Sequence, residues 1–208
     1  MTPEPHLIAF DLDGTLVEDH LVDRPCDRCE GLGTENLGGK NNPRIVECRR
    51  CHGKLTILVP RRDTPYTEPI LMEGVRERLD ALRVVNPRRF AICTNQGGVA
   101  LGFQTIAEVR RRIARSLELV DFFDGAPVTI HCCIDHPAST LKGFENPSRG
   151  KLHRRKPNPG MLIEAMVAAP AMAAETVFIG DRQTDRETAE RAEVRFVDAA
   201  DWLANGLR

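Results

Sequence analysis

Short apolar runs alternate with amphipathic segments along most of the chain. Strands are predicted at 7–10, 90–93, 128–133, 176–181 and 195–197, and the first, Leu-Ile-Ala-Phe, is apolar at every position. Such a strand is normally buried on both faces, as in a parallel sheet covered by helices. Helices are predicted at 73–82, at 105–119 and after Pro159-Gly160. The alternation predicts an α/β fold with a doubly wound, Rossmann-like, mostly parallel sheet that has helices on both faces.

Two of the predicted helices have a clear apolar face. The residues expected to be buried are Val75, Leu79 and Leu82 in the first helix, and Ile106, Val109, Ile113 and Leu117 in the second. The run of Arg110, Arg111 and Arg112 lies mostly off the apolar face of the second helix. We therefore interpret these arginines as a solvated helix surface.

The alternation stops for about fifty residues after Leu16, which is long for a loop in a compact domain. This stretch is rich in Gly, Asn, Pro, Cys and charged residues, and it contains one plausible strand at 55–59. We therefore predict a core formed by residues 1–18 and 67–208, with an inserted segment at 19–66.

Composition narrows the class of protein. Of the 208 residues, 41% are hydrophobic and 28% are charged, and the formal net charge is −1. This is typical of a globular domain and gives no overall attraction to nucleic acid. No apolar run approaches the roughly 20 residues that span a bilayer, and the first residues lack a secretory pattern. We expect a cytoplasmic, reducing location with no membrane contact, where the 7 cysteines are metal ligands or buried thiols rather than disulfides.

Two carboxylates, Asp11 and Asp13, follow the first predicted strand. Side chains at the carboxyl end of such a strand emerge into the crevice where α/β proteins bind ligands. One carboxylate there can attack phosphorus or hold a metal while the other carries a proton. The alternative is that the pair only caps a turn, because Asp and Gly are common in turns.

Three further polar signals follow predicted strands or precede a predicted helix. The sequence Thr94-Asn95-Gln96-Gly97-Gly98 offers a hydroxyl and free main-chain N–H groups, which can cradle a phosphate. Lys156, preceded by Arg155, lies at the entrance to a helix and can offset phosphate charge. Asp181 and Asp185 form a second carboxylate pair at a strand end. Each signal alone has an ordinary explanation as a turn, a surface charge or a helix cap.

Taken together and in this order, the four signals resemble the motifs of the haloacid dehalogenase superfamily of phosphotransferases, over about three-quarters of the chain. The resemblance implies that Asp11 is a nucleophile that forms an aspartyl-phosphate and that Asp13 is the acid–base residue. It also implies that Thr94 and Lys156 contact the phosphoryl group. Mg²⁺ is then bound by Asp11, the main-chain carbonyl of Asp13 and Asp181, with Asp185 in support.

The sequences Thr-Asn-Gln-Gly-Gly and Lys-Pro-Asn-Pro-Gly-Met are similar to the branch of the superfamily that lacks a large cap. This branch includes heptose bisphosphate and histidinol phosphate phosphatases and the phosphatase part of polynucleotide kinase-phosphatases. In the sugar phosphatases, a residue at the position of Arg155 contacts substrate, so the resemblance implies a substrate- and phosphate-binding set of Thr94, Asn95, Arg155 and Lys156. The heptose enzymes also carry a zinc loop with a Cys-x-His pair and then a Cys-x-Cys pair, and the second pair is missing here. Candidates for a remnant are Cys132, Cys133, His136 and His153, and we favour the metal-free interpretation.

The inserted segment contains two Cys-x-x-Cys pairs, Cys26/Cys29 and Cys48/Cys51, separated as in a zinc ribbon. Each pair is followed by glycine, and the pattern is similar to the zinc repeats of J-domain co-chaperones. A structural Zn²⁺ held by four thiolates would stabilise a segment with few apolar residues. Because the insertion follows the Asp11 motif directly, we expect it to act as a small cap that selects substrates.

The sequence therefore predicts a Mg²⁺-dependent phosphomonoesterase that acts on a small phosphorylated metabolite, of sugar phosphate or histidinol phosphate type. The enzymatic alternative is a 3′-phosphatase for nucleic-acid ends, with the ribbon contacting the polynucleotide through its arginines and lysine. Nearby acidic residues and a single aromatic residue, Tyr66, argue against that alternative. A third hypothesis is a zinc-ribbon adaptor whose phosphatase core is inactive.

Overall fold

The chain forms two units, and the second is inserted into the first. Residues Met1–Glu18 and Thr67–Arg208 form the core unit, and Asp19–Tyr66 form the inserted unit. The computed structural model describes residues 5–26, 28–37, 44–49, 53–60, 65–83, 89–120, 126–142, 144 and 153–207, and for 21–24, 56–60 and 83 it describes only the main chain. Within these ranges, no helix has the length and apolar character needed to cross a membrane.

The order of elements matches the alternation of the sequence. The strands are β1 (Leu7–Phe10), β2 (Leu21–Pro25), β3 (Thr34–Asn36), β4 (Ile45–Glu47), β5 (Thr56–Pro60), β6 (Arg89–Asn95), β7 (Val128–Cys133), β8 (Thr176–Gly180) and β9 (Arg195–Asp198). The helices are α1 (Val75–Arg83), α2 (Ile106–Val120), α3 (Gly160–Ala168), α4 (Gln183–Arg191) and α5 (Ala199–Asn205), with a short 3₁₀ turn at Ala173–Glu175.

The core unit contains a five-stranded parallel sheet with the order β7-β6-β1-β8-β9. Strand β1 is central, and Leu7 lies opposite Arg89 of β6 and Thr176 of β8. The chain builds the sheet outward from β1 through β6 and β7, then returns to the other side of β1 with β8. The reversal leaves a crevice at the carboxyl ends of β1 and β8, where ligands bind in α/β folds.

Both faces of the sheet are covered, as the apolar strands predict. On one face, Ala9 of β1 and Phe178 of β8 pack in a cluster with Met161 and Leu162 of α3 and Ala189 of α4. On the other face, the ring of Phe10 meets Trp202 of α5 edge-on, with ring centroids 5.3 Å apart. The predicted α/β fold, a doubly wound and mostly parallel sheet, is confirmed.

Some local predictions differ from the structure. Val75, Leu79 and Leu82 are buried as expected, but Ile106 is 41% exposed because it begins the first turn of α2. The helices α4 and α5 and the strands β2, β3 and β4 were not predicted, because they are short or carry few apolar positions.

The inserted unit consists of two small antiparallel pairs. Strand β2 pairs with β5, which includes most of the strand predicted at 55–59, and β3 pairs with β4. The hydrogen bond from Cys26 N to Leu55 O (2.9 Å) extends the first pair, and that from Cys48 N to Gly33 O (2.8 Å) extends the second. Each pair therefore ends next to a cysteine.

Candidate active site and thiol cluster

A buried ionic cluster lies at the carboxyl end of β1. The Lys156 ammonium is 2.7 Å from Asp11 Oδ1 and 2.6 Å from Asp185 Oδ1, and all three side chains are buried. Asp11 is fixed by its main chain, because its N–H donates to Ile179 O of β8 at 2.8 Å. Asp185 is fixed by α4, where its Oδ2 accepts from Arg182 N at 3.0 Å. Three parts of the chain that are distant in sequence, at Asp11, at Lys156 and at 179–185, therefore place one cation between two carboxylates.

Burial dominates the electrostatics of this cluster. It raises the pKa of Asp11 to about 7, against the lowering effect of the Lys156 ammonium. It also raises the pKa of Asp181. For Lys156, burial acts to lower the pKa, but Asp11 and Asp185 outweigh it and the pKa lies above its ordinary value. The ammonium of Lys156 therefore does not fully offset the cost of burying the Asp11 carboxylate.

Asp11, Asp181 and Asp185 each offer a carboxylate oxygen, and these oxygens lie within 4.8 Å of one another. Hard oxygen donors of this kind suit Mg²⁺, and a cation among them would favour the ionised carboxylates. Gly14 lines the same place, since a Cβ at this glycine would lie 2.3 Å from Asp181 Oδ2. The donor set therefore fits a magnesium ion.

The second carboxylate of the first motif, Asp13, is held by two side chains. Its Oδ1 accepts from Arg112 Nε at 2.9 Å and from a second nitrogen of the same guanidinium. Its Oδ2 accepts from Gln96 Nε2 at 2.7 Å, and that amide also donates to Thr94 Oγ1 at 2.9 Å. The acid–base candidate is thereby joined to the residue predicted to bind phosphate.

The prediction of a solvated arginine run is wrong for Arg112. Arg110 and Arg111 are exposed, whereas Arg112 is 2% exposed and forms the ion pair with Asp13. Helical spacing carried a signal for this burial, because Arg112 lies three residues after Val109 and four before Ser116, which are both buried. Its acidic partner, 99 positions away in sequence, was not visible in the helix pattern.

The loop that follows β6 lies against the segment that carries Lys156. The Asn95 side chain accepts from Lys156 N and donates to Lys156 O, both at 3.1 Å. The sequence predicts that Asn95 binds phosphate. In the structure, its side-chain amide binds the main chain of Lys156 and holds that segment in place. Arg155 donates to Asp135 O at 2.8 Å, and a Cβ at Gly97 would lie 2.8 Å from its guanidinium.

Two of the side chains considered as a remnant zinc site, Cys133 and His136, have other partners. Cys133 Sγ lies 3.9 Å from Asp135 Oδ2, and His136 Nδ1 accepts from Ala138 N at 3.1 Å. In the part of the chain that the structure describes, two groups of three or more ligand atoms gather within 4.8 Å, and neither contains Cys132, Cys133, His136 or His153. One group is the carboxylate cluster above.

The other group is a thiol cluster in the inserted unit, formed by Cys26, Cys29 and Cys48. All three are buried, and Cys26 Sγ lies 3.7 Å from Cys48 Sγ. Gly33 N donates to Cys29 Sγ at 3.2 Å, from a turn in which Gly33 has φ +75°. Cys51, the fourth predicted ligand, lies outside the described residues.

Comparison with known proteins identifies similar phosphatases. Residues 153–198 match the HAD-hydrolase-like family. The D-glycero-beta-D-manno-heptose-1,7-bisphosphate 7-phosphatase of Salmonella typhi is 30% identical over 153 residues, covering 62% of this chain and 75% of that protein. The protein of the same name from Mesorhizobium japonicum is 27% identical over 184 residues, covering 85% of this chain and 77% of that protein.

Two solved structures share the fold. A HAD-like phosphatase from Mesorhizobium loti superposes with a TM-score of 0.61 at 21% identity, covering 92% of this chain and 70% of that one. The D,D-heptose 1,7-bisphosphate phosphatase from B. bronchiseptica, determined with magnesium and phosphate, has a TM-score of 0.55 at 18% identity. That similarity covers 92% of this chain and 78% of the other.

Proposed function

Since the chain belongs to the haloacid dehalogenase superfamily of phosphatases, in the branch without a large cap, we propose that it is a Mg²⁺-dependent phosphomonoesterase for a small sugar phosphate. The observation that carries this proposal is the buried cluster of Asp11, Lys156 and Asp185 at the carboxyl end of β1. Such a cluster costs several kcal/mol of desolvation per ion, so its presence favours a catalytic role over a structural one.

In the first half-reaction, a carboxylate oxygen of Asp11 attacks the phosphorus of the substrate. The new Asp11 O–P bond forms as the ester P–O bond breaks. Asp13 gives its proton to the leaving oxygen, so the product departs as an alcohol. Thr94 and Lys156 hold the phosphoryl oxygens and offset their charge.

In the second half-reaction, water attacks the phosphorus of the aspartyl-phosphate. Asp13, now a carboxylate, takes a proton from that water, and the bond between phosphorus and Asp11 breaks. Inorganic phosphate leaves, and Asp11 and Asp13 return to their starting states. The position of Asp13, joined through Gln96 to Thr94, supports both proton transfers.

The residues that would hold Mg²⁺ are Asp11, Asp181 and the main-chain carbonyl of Asp13, with Asp185 in support. Bound there, the ion would reduce the repulsion between the anionic nucleophile and the phosphate dianion. The clustered carboxylate oxygens and the raised pKa values of Asp11 and Asp181 support this assignment.

A sugar phosphate is favoured as substrate because the similar phosphatases named above act on a heptose bisphosphate. Arg155 is positioned beside Gly97 and next to Lys156, where a guanidinium can contact a second polar group of the substrate. The alternative substrate, a 3′-phosphorylated nucleic-acid end, has no support from these relatives.

The first test is a phosphate-release assay with and without Mg²⁺ on a heptose bisphosphate, other sugar phosphates, histidinol phosphate, nucleotides and a 3′-phosphorylated oligonucleotide. We expect a sugar phosphate to give the highest kcat/KM. The variant Asp11→Asn should lose turnover by at least about 10³-fold, because it removes the nucleophile while keeping its shape. Asp201→Asn, an exposed carboxylate change on α5, is the matched control. Activity of Asp11→Asn near that of the control would overturn the assigned nucleophile, and a preference for the oligonucleotide would overturn the substrate class.

For the inserted unit, the proposal is a zinc ribbon in which Cys26, Cys29, Cys48 and Cys51 hold one Zn²⁺. A tetrahedral site with Zn–S distances of about 2.3 Å places its sulfurs about 3.8 Å apart. The 3.7 Å between Cys26 Sγ and Cys48 Sγ agrees with that spacing and is much longer than a disulfide bond of about 2 Å. With four thiolate ligands the site would have no open position, so its role would be structural.

A further inference from the structure

We propose that Arg112 is a positioning residue that holds the acid–base carboxylate of Asp13 in its catalytic orientation. The proposal rests on the phosphatase function above and extends it to a residue of α2. The evidence is an ion pair between a buried guanidinium and the second aspartate of the catalytic motif.

The guanidinium restrains Asp13 in a defined geometry. Arg112 Nε donates to Asp13 Oδ1 at 2.9 Å, and a second nitrogen of the group donates to the same oxygen. That nitrogen also donates to Glu18 O at 3.1 Å, so the guanidinium is itself fixed to the main chain of the core unit. Gln96 holds the other carboxylate oxygen at 2.7 Å. With both oxygens engaged, rotation of the Asp13 carboxylate is restricted.

Packing of α2 does not explain the arginine. Val109, Ile113 and Val120 already bury an apolar face of this helix, and an apolar side chain at position 112 would extend it without desolvating a charge. Replacing a buried ion pair by apolar residues is often neutral or stabilising. A charged residue that is 2% exposed at this position is therefore better explained by what it does to Asp13.

The Asp13 carboxyl group must be correctly oriented in two proton-transfer steps. Its proton goes to the leaving oxygen as the ester P–O bond breaks, and its carboxylate later takes a proton from the water that attacks the aspartyl-phosphate. Attack by Asp11 on phosphorus needs neither contact with Arg112 nor the proton, if the leaving group is stable as an anion. Loss of Arg112 should therefore slow the proton-transfer steps and spare the attack itself.

The experiment compares Arg112→Met with the wild type on two substrates. With the sugar phosphate that the wild type uses best, kcat should fall by about 100-fold, as expected for a misplaced catalytic group, with little change in KM. With 4-nitrophenyl phosphate, whose leaving group needs no proton, rapid-mixing traces should show a burst of nitrophenolate followed by slow turnover. The burst reports intact attack by Asp11, and the slow phase reports impaired hydrolysis of the aspartyl-phosphate.

A double-mutant test separates positioning from a general structural effect. If Arg112 acts through Asp13, adding Arg112→Met to Asp13→Asn should cause no further loss of kcat. Arg112→Lys, which keeps one donor, should recover part of the activity, and Arg111→Met, an exposed change on the same helix, should behave as the wild type. If Arg112→Met fails to fold, Arg112→Lys and its combination with Asp13→Asn provide the same comparison.

The outcomes distinguish this inference from the proposed function. An inactive wild type, or an Asp11→Asn variant with normal turnover, would overturn the phosphatase assignment itself. An active wild type in which Asp13→Asn is impaired, but Arg112→Met is normal or lowers kcat equally in both Asp13 backgrounds, would overturn only the role of Arg112.

Discussion

The core unit and the inserted unit each contain a buried cluster of ligand-type side chains, but the clusters have different relations to the fold around them. In the core, Asp11, Lys156 and Asp185 lie at the edge of a sheet whose strands are already packed on both faces. In the inserted unit, the buried apolar side chains among those that the structure describes are the three cysteines themselves.

We infer from this difference that the ionic cluster of the core serves the chemistry and that the thiol cluster serves the folding of the inserted unit. Apolar packing would maintain the core unit if its ionic cluster were altered, so changes there should affect chemistry more than folding. The inserted unit lacks comparable packing among its described side chains, so its thiol cluster should determine whether it folds at all.

The largest effect is expected from removing zinc from the inserted unit. Cys48→Ser should release the metal and unfold residues 19–66, because a structural zinc site contributes on the order of 10 kcal/mol to folding. Elemental analysis should find one zinc per wild-type chain and much less in the variant. Limited proteolysis should cut the variant within the insertion while the parallel-sheet core resists.

Cys132→Ser is the control for this experiment, because Cys132 lies on β7 outside the thiol cluster. It should retain both zinc and protease resistance. If Cys132→Ser lost its zinc and Cys48→Ser did not, the zinc site would lie in the core unit. If the wild-type protein contained no zinc, the proposed zinc ribbon would be wrong.

A smaller loss of stability is expected from Lys156→Met in the core. The change leaves Asp11 and Asp185 buried beside each other without their ammonium, which costs about 3–5 kcal/mol for a broken buried ion pair. Urea unfolding should measure this loss, and turnover should disappear. Lys142→Met, at an exposed lysine, should change neither quantity. A stability loss as large as that caused by zinc removal would contradict the difference drawn between the two units.

A still smaller stability effect, with a marked functional one, is expected from Gly14→Ala. Gly14 has φ +83°, so alanine carries a backbone cost of about 1–2 kcal/mol. Its Cβ would also displace the Asp181 carboxylate, and we expect the Mg²⁺ concentration for half-maximal activity to rise. Gly74→Ala shares the backbone cost at φ +81° but meets only Leu203 at 3.8 Å. If the two variants needed the same Mg²⁺ concentration for half-maximal activity, the assignment of Asp181 as a metal ligand would be wrong.

The sequence predicted those features that depend on neighbouring residues in the chain. The apolar run 7–10 identified β1 and placed Asp11 at its end, and strand β8 placed Asp181 in the same way. The helix α4 was not predicted, because its sequence Gln-Thr-Asp-Arg-Glu-Thr-Ala-Glu-Arg has no apolar stripe. It begins where the Asp185 carboxylate accepts from Arg182 N, which is a local polar signal.

Contacts between distant segments were not predictable from the single sequence. The hydrogen bonds that hold the Asp13 carboxylate come from Gln96 and Arg112, which are both more than eighty positions away in the sequence. Helical periodicity describes which face of α2 is apolar, but it does not reveal that a carboxylate lies opposite one of its arginines. Helical spacing is consistent with the burial of Arg112, but its pairing with Asp13 follows from tertiary structure alone.

The smallest expected effect concerns the thiols of the core. Burial raises the pKa of Cys93 to about 12, so the thiol stays protonated and unreactive near pH 8. After zinc is chelated, iodoacetamide at pH 8 should label the cysteines of the insertion and leave Cys93 unmodified, as peptide mass mapping would record. Labelling in urea provides the control, because all 7 cysteines should then react. If Cys93 were labelled as fast as the cysteines of the insertion, the core would open as readily as the metal-free ribbon, and apolar packing would not be what distinguishes the two units.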